Sequence, residues 1–256
     1  MSVMKVVVIG GTGLIGSKVV AKLSEHGHEV IAAAPNTGVN TLTGEGLAEA
    51  LANAQVVVDV SNSPSFDDEP AMDFFTTATR NVLRAAETAG VSHLVALSVV
   101  GTDRLQDSGY FRAKAAQEQL ITEGAIPFSI VHATQFFEFI RGIADSATVA
   151  DTVRISAAQI QPMAADDVAT AVARTAVGQP AGGILEVGGP DRYALDDIVR
   201  IRLRAQGDDR DVVTDPESRY FGVLLDDHTL VPAATATVFD TRFEDWLVDN
   251  AAVPVR

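Results

Sequence analysis

The sequence contains no cysteine and little positive charge. Without Cys among its 256 residues, the chain cannot form a disulfide framework, a thiolate metal site or a cysteine nucleophile. Its 19 Lys and Arg residues stand against 34 Asp and Glu residues, which gives a formal net charge of −15. Direct binding to nucleic acid or to an anionic membrane needs clustered Lys and Arg, so the charge balance argues against both kinds of partner.

The chain also lacks a long apolar run near its start. The β-branched run Lys5–Ile9 is followed at once by a cluster of glycines, which is typical of a strand and a turn rather than of a signal peptide or a membrane span. With 47% hydrophobic and 21% charged residues, the composition is that of a globular protein. We therefore expect a soluble cytoplasmic protein that binds a small-molecule substrate, with no nucleic-acid or membrane partner and an unknown oligomeric state.

Short apolar runs alternate with helical patterns over the first two-thirds of the chain. After Lys5–Ile9, the apolar runs cover residues 29–34, 55–60, 93–98 and 127–132, and the helical patterns cover residues 14–25, 45–51, 71–88 and 109–122. Continuous β-branched runs indicate strands that are buried on both faces, as in a parallel sheet with helices on either side. The alternation therefore predicts an α/β fold with a doubly wound parallel sheet, the Rossmann fold.

The last hundred residues follow a different pattern. Their strand-like pieces are short, at residues 153–156 and 183–187, and helical patterns cover residues 167–177, 195–205 and 241–249. Adjacent acidic residues in this part are interpreted as helix caps and turns, so no metal site is predicted. No Pro/Ser-rich linker divides the chain. We therefore predict a single domain over residues 1–256, in which residues 151–256 contribute most of a small substrate lobe.

Three glycines spaced three residues apart lie between the first apolar run and the first helical pattern. Gly10 permits a tight turn, Gly13 lets backbone N–H groups approach a pyrophosphate, and Gly16 lets the helix pack closely on the strand. The helix N-terminus adds positive potential for the phosphates. A glycine-rich turn without a ligand is the alternative, but the place at the start of a βαβ series favours a dinucleotide site. Its predicted contacts are Gly10, Thr12, Gly13, Leu14, Ile15 and Gly16.

The residues after the second apolar run are predicted to select the coenzyme. In sites that prefer NAD, an acidic residue about 20 residues beyond the glycines binds the ribose 2′-hydroxyl. Here the chain has Pro35, Asn36 and Thr37, with no carboxylate to repel a 2′-phosphate and no Arg to attract one. Because Asn36 and Thr37 can donate hydrogen bonds, NADP is favoured, and NAD is the alternative. The stretch could also be only a turn, with the selecting residue elsewhere.

Ser98, Tyr110 and Lys114 form a candidate catalytic group. Ser98 ends the fourth apolar run, and Tyr110 and Lys114 lie four residues apart, on one face of a predicted helix. A neighbouring ammonium favours the phenolate and lowers the pKa of a tyrosine, so Tyr110 could exchange a proton with a carbonyl oxygen. Ser98 would polarise the same oxygen. The alternative is a surface lysine beside a half-buried tyrosine, with Ser98 merely ending a strand.

Together these segments resemble the short-chain dehydrogenase/reductase superfamily, and most closely its atypical, NmrA-like NAD(P)-binding members. The resemblance is carried by residues 10–16, 81–86, 90–98, 110–114, 126–136 and 166–169. It implies a catalytic role for Ser98, Tyr110 and Lys114, and contact of Lys114 with the nicotinamide ribose. It also implies further coenzyme contacts at Val60, Ser61 and Asn62, after the third strand, and at Ala133 and Thr134, after the fifth.

The sequence departs from the family at His132–Ala133, where relatives commonly have Arg-Pro, and we interpret His132 as a core residue. Many NmrA-like relatives lack the tyrosine that this chain keeps at position 110, which favours an enzyme. The resemblance thus predicts an NAD(P)H-dependent oxidoreductase that transfers hydride to or from a small, fairly hydrophobic carbonyl or alcohol substrate. The alternative is a non-catalytic redox sensor that binds a regulatory protein. An epimerase or dehydratase is less favoured, because the substrate lobe is small.

Overall fold

The computed structural model describes residues 3–250, which form twelve strands and eight α-helices. The strands are β1 Lys5–Ile9, β2 Glu29–Ala33, β3 Val56–Asp59, β4 His93–Val99, β5 Phe128–Ala133, β6 Thr148–Val149, β7 Thr152–Ile155, β8 Gln159–Ile160, β9 Gly183–Gly188, β10 Tyr193–Ala194, β11 Asp211–Thr214 and β12 Thr237–Val238. The helices are α1 Leu14–Glu25, α2 Leu47–Leu51, α3 Asp68–Ala89, α4 Gly109–Thr122, α5 Ile140–Ser146, α6 Ala165–Val177, α7 Leu195–Ala205 and α8 Phe243–Asn250.

Seven of the strands form one parallel sheet in the order β12-β9-β5-β4-β3-β1-β2. β1 pairs with β2 from Lys5 opposite Glu29 onward, and with β3 from Val6 opposite Val56 onward. The chain thus passes from β1 to β2 on one side of it, and then to β3 on the other side. In doubly wound sheets, ligands bind at the carboxyl ends of the strands at such a switch point. The predicted Rossmann fold is confirmed.

Unbroken aliphatic runs explain why the central strands are buried on both faces. Val6–Val8 and Val56–Val58 are at most 2% exposed, and β-branched residues suit extended backbone packed from two sides. α3 and α4 pack against each other through alanines and aromatic rings, including Ala71, Phe75 and Ala113. Among residues 3–250, no helix combines the length and the apolar character that a membrane span needs.

The chain divides into two compact units. The first comprises the residues up to Ser98, Gly109–His132 and Val168–Leu185, and it contains the glycine loop and α4. The second comprises Val99–Ser108, Ala133–Asp167 and the residues from Glu186 onward. Within the second unit, β7 pairs in parallel with β11 and antiparallel with β6. The predicted assignment of residues 151–256 to a substrate lobe stays a prediction.

Candidate active site

Two of the three glycines in the predicted pattern, Gly10 in the loop and Gly16 in α1, leave no room for a side chain. Gly10 has a left-handed backbone with φ +76°, and a Cβ there would lie 2.9 Å from the backbone nitrogen of Ser61. A Cβ on Gly16 would lie 2.1 Å from the carbonyl oxygen of Gly10. Both glycines therefore have the steric role expected from the sequence: they let the loop, the end of β3 and α1 approach one another closely.

The N-terminus of α1 is suited to an anion. Gly13 is the N-cap, no side chain caps the helix, and its first turn contains no acidic residue. The first N–H groups of the helix are thus left to a ligand, and the helix dipole favours negative charge there. Leu14 is 41% exposed, whereas Ile15 is buried in the core, so Ile15 could meet a coenzyme only through its backbone. These features fit the pyrophosphate of a dinucleotide.

After β2, the chain makes a short 3-10 turn over Pro35–Thr37. The Thr37 hydroxyl accepts a hydrogen bond from the backbone N–H of Ala34 and lies 2.8 Å from the carbonyl oxygen of Ala32 and 2.9 Å from that of Ala34. Because a hydroxyl has a single proton to donate, these carbonyls account for it. The expectation that this hydroxyl donates to a coenzyme is not supported.

Asn36 connects the turn after β2 with the glycine loop. Its side-chain oxygen accepts a hydrogen bond from the Thr12 hydroxyl at 3.2 Å. Both side chains are exposed, and the bond orients the Asn36 carboxamide so that its oxygen faces the loop. The NH₂ group of the carboxamide can then donate to a ribose hydroxyl or to a phosphate, as predicted for this position.

The end of β3 is organised by a buried carboxylate that sequence reasoning missed. Asp59 is 4% exposed, and its Oδ1 accepts hydrogen bonds from the backbone N–H of Ser61 at 3.0 Å and from the Ser61 hydroxyl at 2.6 Å. Ser61 in turn lies against Gly10. The segment Val60–Asn62, predicted to contact the coenzyme, is thus held beside the glycine loop. The available signal was that Asp59 is the one charged residue in the apolar run 55–60.

Tyr110 lies in the first turn of α4, which is held on α3 by an unusually close contact. A Cβ on Gly109 would lie 1.8 Å from the Asp68 carboxylate, and the same carboxylate forms an ion pair with Arg112 at 2.6 Å. The Tyr110 ring packs against Phe66 and Phe75, with centroids 4.8 and 5.8 Å away. A glycine directly before the tyrosine therefore fixes where the tyrosine sits.

The environment of Tyr110 corrects one expectation. Its hydroxyl donates a hydrogen bond to the side-chain oxygen of Asn62 at 2.9 Å, and burial raises the pKa of Tyr110 above its ordinary value. The sequence prediction was the reverse, a pKa lowered by the Lys114 ammonium. Burial outweighs the attraction of a cation here, because the charged phenolate loses solvation among the aromatic rings.

Lys114 is enclosed one turn further along α4 and is 3% exposed. Its ammonium donates a hydrogen bond to the carbonyl oxygen of Leu97 at 2.9 Å and another to Oε1 of Gln117, and it lies 4.6 Å from the centroid of the Phe75 ring. Burial lowers the pKa of Lys114 to about 8, although the nearby negative charges of Asp59 and Glu118 act in the opposite direction. The ammonium therefore titrates close to physiological pH.

Ser98 is part of a buried cluster on the sheet side of α4. Its hydroxyl donates a hydrogen bond to Oε1 of Glu118, which also lies 2.9 Å from Nε2 of His132. Burial by itself would raise the pKa of Glu118, but the bonds with His132 and Ser98 and the charge of Lys114 hold it below its ordinary value. Because the single proton of the Ser98 hydroxyl is donated to Glu118, the structure does not direct it toward a substrate, and its predicted role in polarising a carbonyl stays a prediction. His132 is buried and partnered, as a core residue should be.

The remaining predicted contacts, Ala133 and Thr134, belong to the second unit. Ala133 ends β5, and the backbone N–H of Thr134 donates to the carbonyl oxygen of Val187 at 3.1 Å. Both residues are buried. Their contact with a coenzyme stays a prediction. Besides Asp59, sequence reasoning missed Gln117 and Glu118, although both lie three or four residues after Lys114 and hence on its side of the helix.

Comparison with known proteins agrees with this geometry. A family model described as NAD(P)H-binding matches residues 10–177, which run from the first glycine of the loop to the end of α6. The chain belongs to this NAD(P)H-binding family. The glycine loop and the uncapped start of α1 lie at the start of the matched range, and they fit the pyrophosphate of a nicotinamide dinucleotide.

Two curated relatives match part of this NAD(P)H-binding protein. It is 34% identical to 4-hydroxy-tetrahydrodipicolinate reductase of Natronomonas pharaonis over 119 residues, and this aligned segment covers 45% of this chain and 41% of the relative. It is 24% identical to the photosystem II assembly factor Ycf39 of Synechocystis over 153 residues, and this aligned segment covers 54% of this chain and 47% of the relative. The chain thus spans less than half the length of each.

Solved structures share the fold over most of the chain. A short-chain dehydrogenase/reductase superfamily protein from Agrobacterium tumefaciens with bound NAD has a TM-score of 0.71 at 16% identity and covers 96% of both chains. The dTDP-4-dehydrorhamnose reductase of Bacillus anthracis, in complex with NADP, has a TM-score of 0.70 at 12% identity and covers 96% of this chain and 97% of its own. These likenesses show the shared fold, and one of the two structures contains NAD whereas the other contains NADP.

Proposed function

We propose that this protein is an NAD(P)H-dependent oxidoreductase that reduces a small, fairly hydrophobic carbonyl compound, or oxidises the corresponding alcohol. The observation that carries the proposal is a continuous set of contacts in the first unit. Tyr110 forms a hydrogen bond with Asn62. Lys114 forms one with Gln117, which in turn forms one with Asp59. Asp59 ends β3 and Asn62 follows it closely, so both lie beside the glycine loop. A proton donor and a cation thus lie beside the loop that would hold a coenzyme.

The residues present would hold the coenzyme in two places. The backbone N–H groups at the start of α1 would bind the pyrophosphate, and the Lys114 ammonium would donate to ribose hydroxyls. When bound, the coenzyme supplies or accepts the hydride. The turn after β2 carries neither a carboxylate nor a cation, and the Asn36 carboxamide can donate to a 2′-phosphate. We therefore propose NADP as the preferred coenzyme.

Tyr110 would act as the proton donor in the reducing direction. A phenol whose pKa is raised stays protonated at neutral pH, so it can give a proton to a carbonyl oxygen that becomes negative as hydride arrives. Its single proton is donated to Asn62 in this structure, so the substrate carbonyl would replace Asn62 as the acceptor. The raised pKa is less suited to the reverse reaction, in which a phenolate would have to take a proton from an alcohol. Reduction is therefore the proposed direction.

The test is to replace Tyr110 with Phe and to screen NADPH and NADH against a panel of aldehydes and ketones. Loss of a positioned proton donor should lower kcat by about a hundredfold or more, while the Kd for NADPH stays within about threefold because the phenol does not hold the pyrophosphate. Tyr193→Phe is the matched control, since Tyr193 lies in the second unit and bonds to Glu244. Turnover that survives Tyr110→Phe would refute the mechanism.

One observation favours a second candidate function, a coenzyme sensor without catalysis. Ser98, the expected carbonyl polariser, bonds to Glu118 inside the protein, and a site without a polarising donor loses much of its electrostatic stabilisation of the transition state. A sensor would bind the oxidised and reduced coenzymes with clearly different affinities, would turn over no compound of the panel, and would bind a partner protein with one form only. Turnover that depends on Tyr110 would exclude it.

A further inference from the structure

The side-chain amide of Gln117 lies between a buried cation and a buried carboxylate. Its Oε1 accepts a hydrogen bond from the Lys114 ammonium, and its Nε2 donates to Oδ2 of Asp59 at 3.1 Å. All three side chains are nearly inaccessible, with exposures of 2% for Gln117, 3% for Lys114 and 4% for Asp59. Gln117 is thus the group through which α4 bonds to the end of β3 at this depth.

We propose that Gln117 is a positioning residue for the Lys114 ammonium, and that its amide couples the charge and the direction of that ammonium to Asp59 and so to the glycine loop. An ammonium has three N–H donors. The carbonyl oxygen of Leu97 and Oε1 of Gln117 accept two of them, so a ligand would compete with the Phe75 ring for the third. The inference deepens the proposed function, because it rests on Lys114 binding the coenzyme ribose.

The coupling reaches the glycine loop through the second oxygen of Asp59. While Oδ2 of Asp59 accepts from Gln117, its Oδ1 accepts from the backbone N–H and the hydroxyl of Ser61. Ser61 lies against Gly10, where a Cβ would come within 2.9 Å of it. A shift of the ammonium would therefore disturb the backbone that borders the pyrophosphate site.

An amide suits this place better than a charged or an apolar side chain. Lys114 already faces two carboxylates, Asp59 from β3 and Glu118 from its own helix, and α3 and β4 face it with the Phe75 ring and the Leu97 carbonyl. A third carboxylate would make the cluster strongly negative. An apolar side chain would take one hydrogen-bond partner from the buried ammonium and one from the buried carboxylate, which is costly. Glutamine satisfies both without adding charge.

The test follows the titration of Lys114 itself in the free protein. The chain has only four lysines, Lys5, Lys18, Lys22 and Lys114, so NMR of protein labelled at the lysine ε-carbons gives few signals, and the signal missing in Lys114→Arg is that of Lys114. We expect its midpoint near 8. Gln117→Glu should raise this midpoint by about one pH unit or more, and Asp59→Asn should lower it by about one unit, because each variant changes the nearby negative charge.

Gln119→Glu is the matched control, because Gln119 lies on the exposed side of the same helix and the substitution adds the same charge. The Lys114 midpoint should then move by less than about 0.3 units, since charges in solvent are screened. Equal midpoints in all three variants and the wild type would overturn the proposal and leave Gln117 with a purely structural role. If Gln117→Glu does not fold, Gln117→Met, which removes both bonds without adding charge, should lower the Lys114 midpoint, and an unchanged midpoint would overturn the proposal.

A second measurement joins the positioning to coenzyme binding. The Kd for NADPH, measured by fluorescence, should increase about fivefold between pH 7 and pH 9 in the wild type, because Lys114 loses its charge-assisted hydrogen bond. It should stay nearly constant over that range in Gln117→Glu. A wild-type Kd that does not change with pH would overturn the link to the coenzyme. Turnover enters neither measurement, so failure of the proposed reaction in Tyr110→Phe would be seen separately.

Discussion

The phenolic hydroxyl of Tyr110 donates a hydrogen bond to the side-chain oxygen of Asn62, across 2.9 Å. Only the protonated phenol can make this bond, and the aromatic rings around it exclude the water that a phenolate needs. Burial thus raises the pKa of Tyr110, whereas the sequence predicted a pKa lowered by the Lys114 ammonium. Burial therefore favours the protonated phenol, which is the form that the proposed reduction requires.

The first prediction concerns the ionisation of the three tyrosines. Tyr110 should contribute nothing to the tyrosinate absorbance of the native protein below pH 10, its ordinary pKa, because burial disfavours the phenolate. Spectrophotometric titrations of the wild type and of Tyr110→Phe should therefore coincide up to that pH, and should differ by one tyrosine after unfolding in denaturant. A difference curve with a midpoint at or below 10 would instead support a phenolate stabilised by Lys114.

The second prediction concerns stability and pH. The pKa of Lys114 falls from 10.5 to about 8 on folding, so between these values the unfolded chain binds more protons than the native protein, and the free energy of unfolding rises with pH. For a shift of this size the rise amounts to about 3 kcal/mol across the window. Urea unfolding at several pH values between 7.5 and 10.5 should show this rise in the wild type.

Lys114→Met tests whether Lys114 causes this rise in the free energy of unfolding with pH. The variant loses the titrating ammonium, so its free energy of unfolding should rise less between pH 8 and 10 than that of the wild type, whatever its absolute stability. All other titrating groups are common to both proteins. Parallel pH profiles for the two proteins would mean that the Lys114 ammonium is solvated in the native state, contrary to its burial.

The architecture could be predicted from the sequence because it rests on local patterns. Three consecutive valines form the middle of β1 and the start of β3, which is typical of strands in the middle of a parallel sheet. Glycines at 10 and 16 have few explanations other than a tight loop against a helix. The strands β6, β8, β10 and β12, with two residues each, were not predicted, because so short a strand exists only through its pairing partner.

The site could be predicted only as far as residue types and helix spacing reach. Tyr110 and Lys114 lie on one helix, so their proximity follows from the sequence. The hydroxyl of Ser98 bonds to Glu118, twenty residues away, and the hydroxyl of Thr37 bonds within its own turn. The spacing of residues along the sequence does not show toward which partner either hydroxyl points. The protonation of Tyr110 depends on desolvation by rings from α3 and from the preceding loop, which no local pattern shows.

The third prediction tests how Gly109 places Tyr110. In Gly109→Ala, the new Cβ would lie 1.8 Å from the Asp68 carboxylate, so Asp68 must move and its ion pair with Arg112 must break. We expect a loss of about 1–3 kcal/mol in the free energy of unfolding, as for other overpacked sites. Gly142→Ala is the control, since Gly142 lies in α5 with open space around its Cα. It should be neutral or stabilising by up to about 1 kcal/mol. Equal effects of the two substitutions in urea unfolding would contradict the packing argument.

The last prediction concerns coenzyme choice at Asn36. The Thr12 hydroxyl donates to its side-chain oxygen, and Asn36→Asp keeps that acceptor while replacing the NH₂ group with a second, negatively charged oxygen. A carboxylate would repel a 2′-phosphate and accept a hydrogen bond from a 2′-hydroxyl. The Kd for NADPH should therefore weaken by about tenfold or more, since like charges about 4 Å apart repel by about 1 kcal/mol even in bulk water. The Kd for NADH should stay the same or tighten.

Asn40→Asp separates this local effect from the general effect of charge. It adds the same negative charge four residues further on, at a position whose side-chain oxygen accepts from the backbone N–H of Leu42. Because the protein already has a net charge of −15, one more distant charge should weaken NADPH binding by less than about twofold at physiological salt, where charges beyond about 8 Å are screened. If both variants weaken NADPH binding equally, Asn36 does not face the 2′ position, and the selecting residue lies elsewhere in the chain.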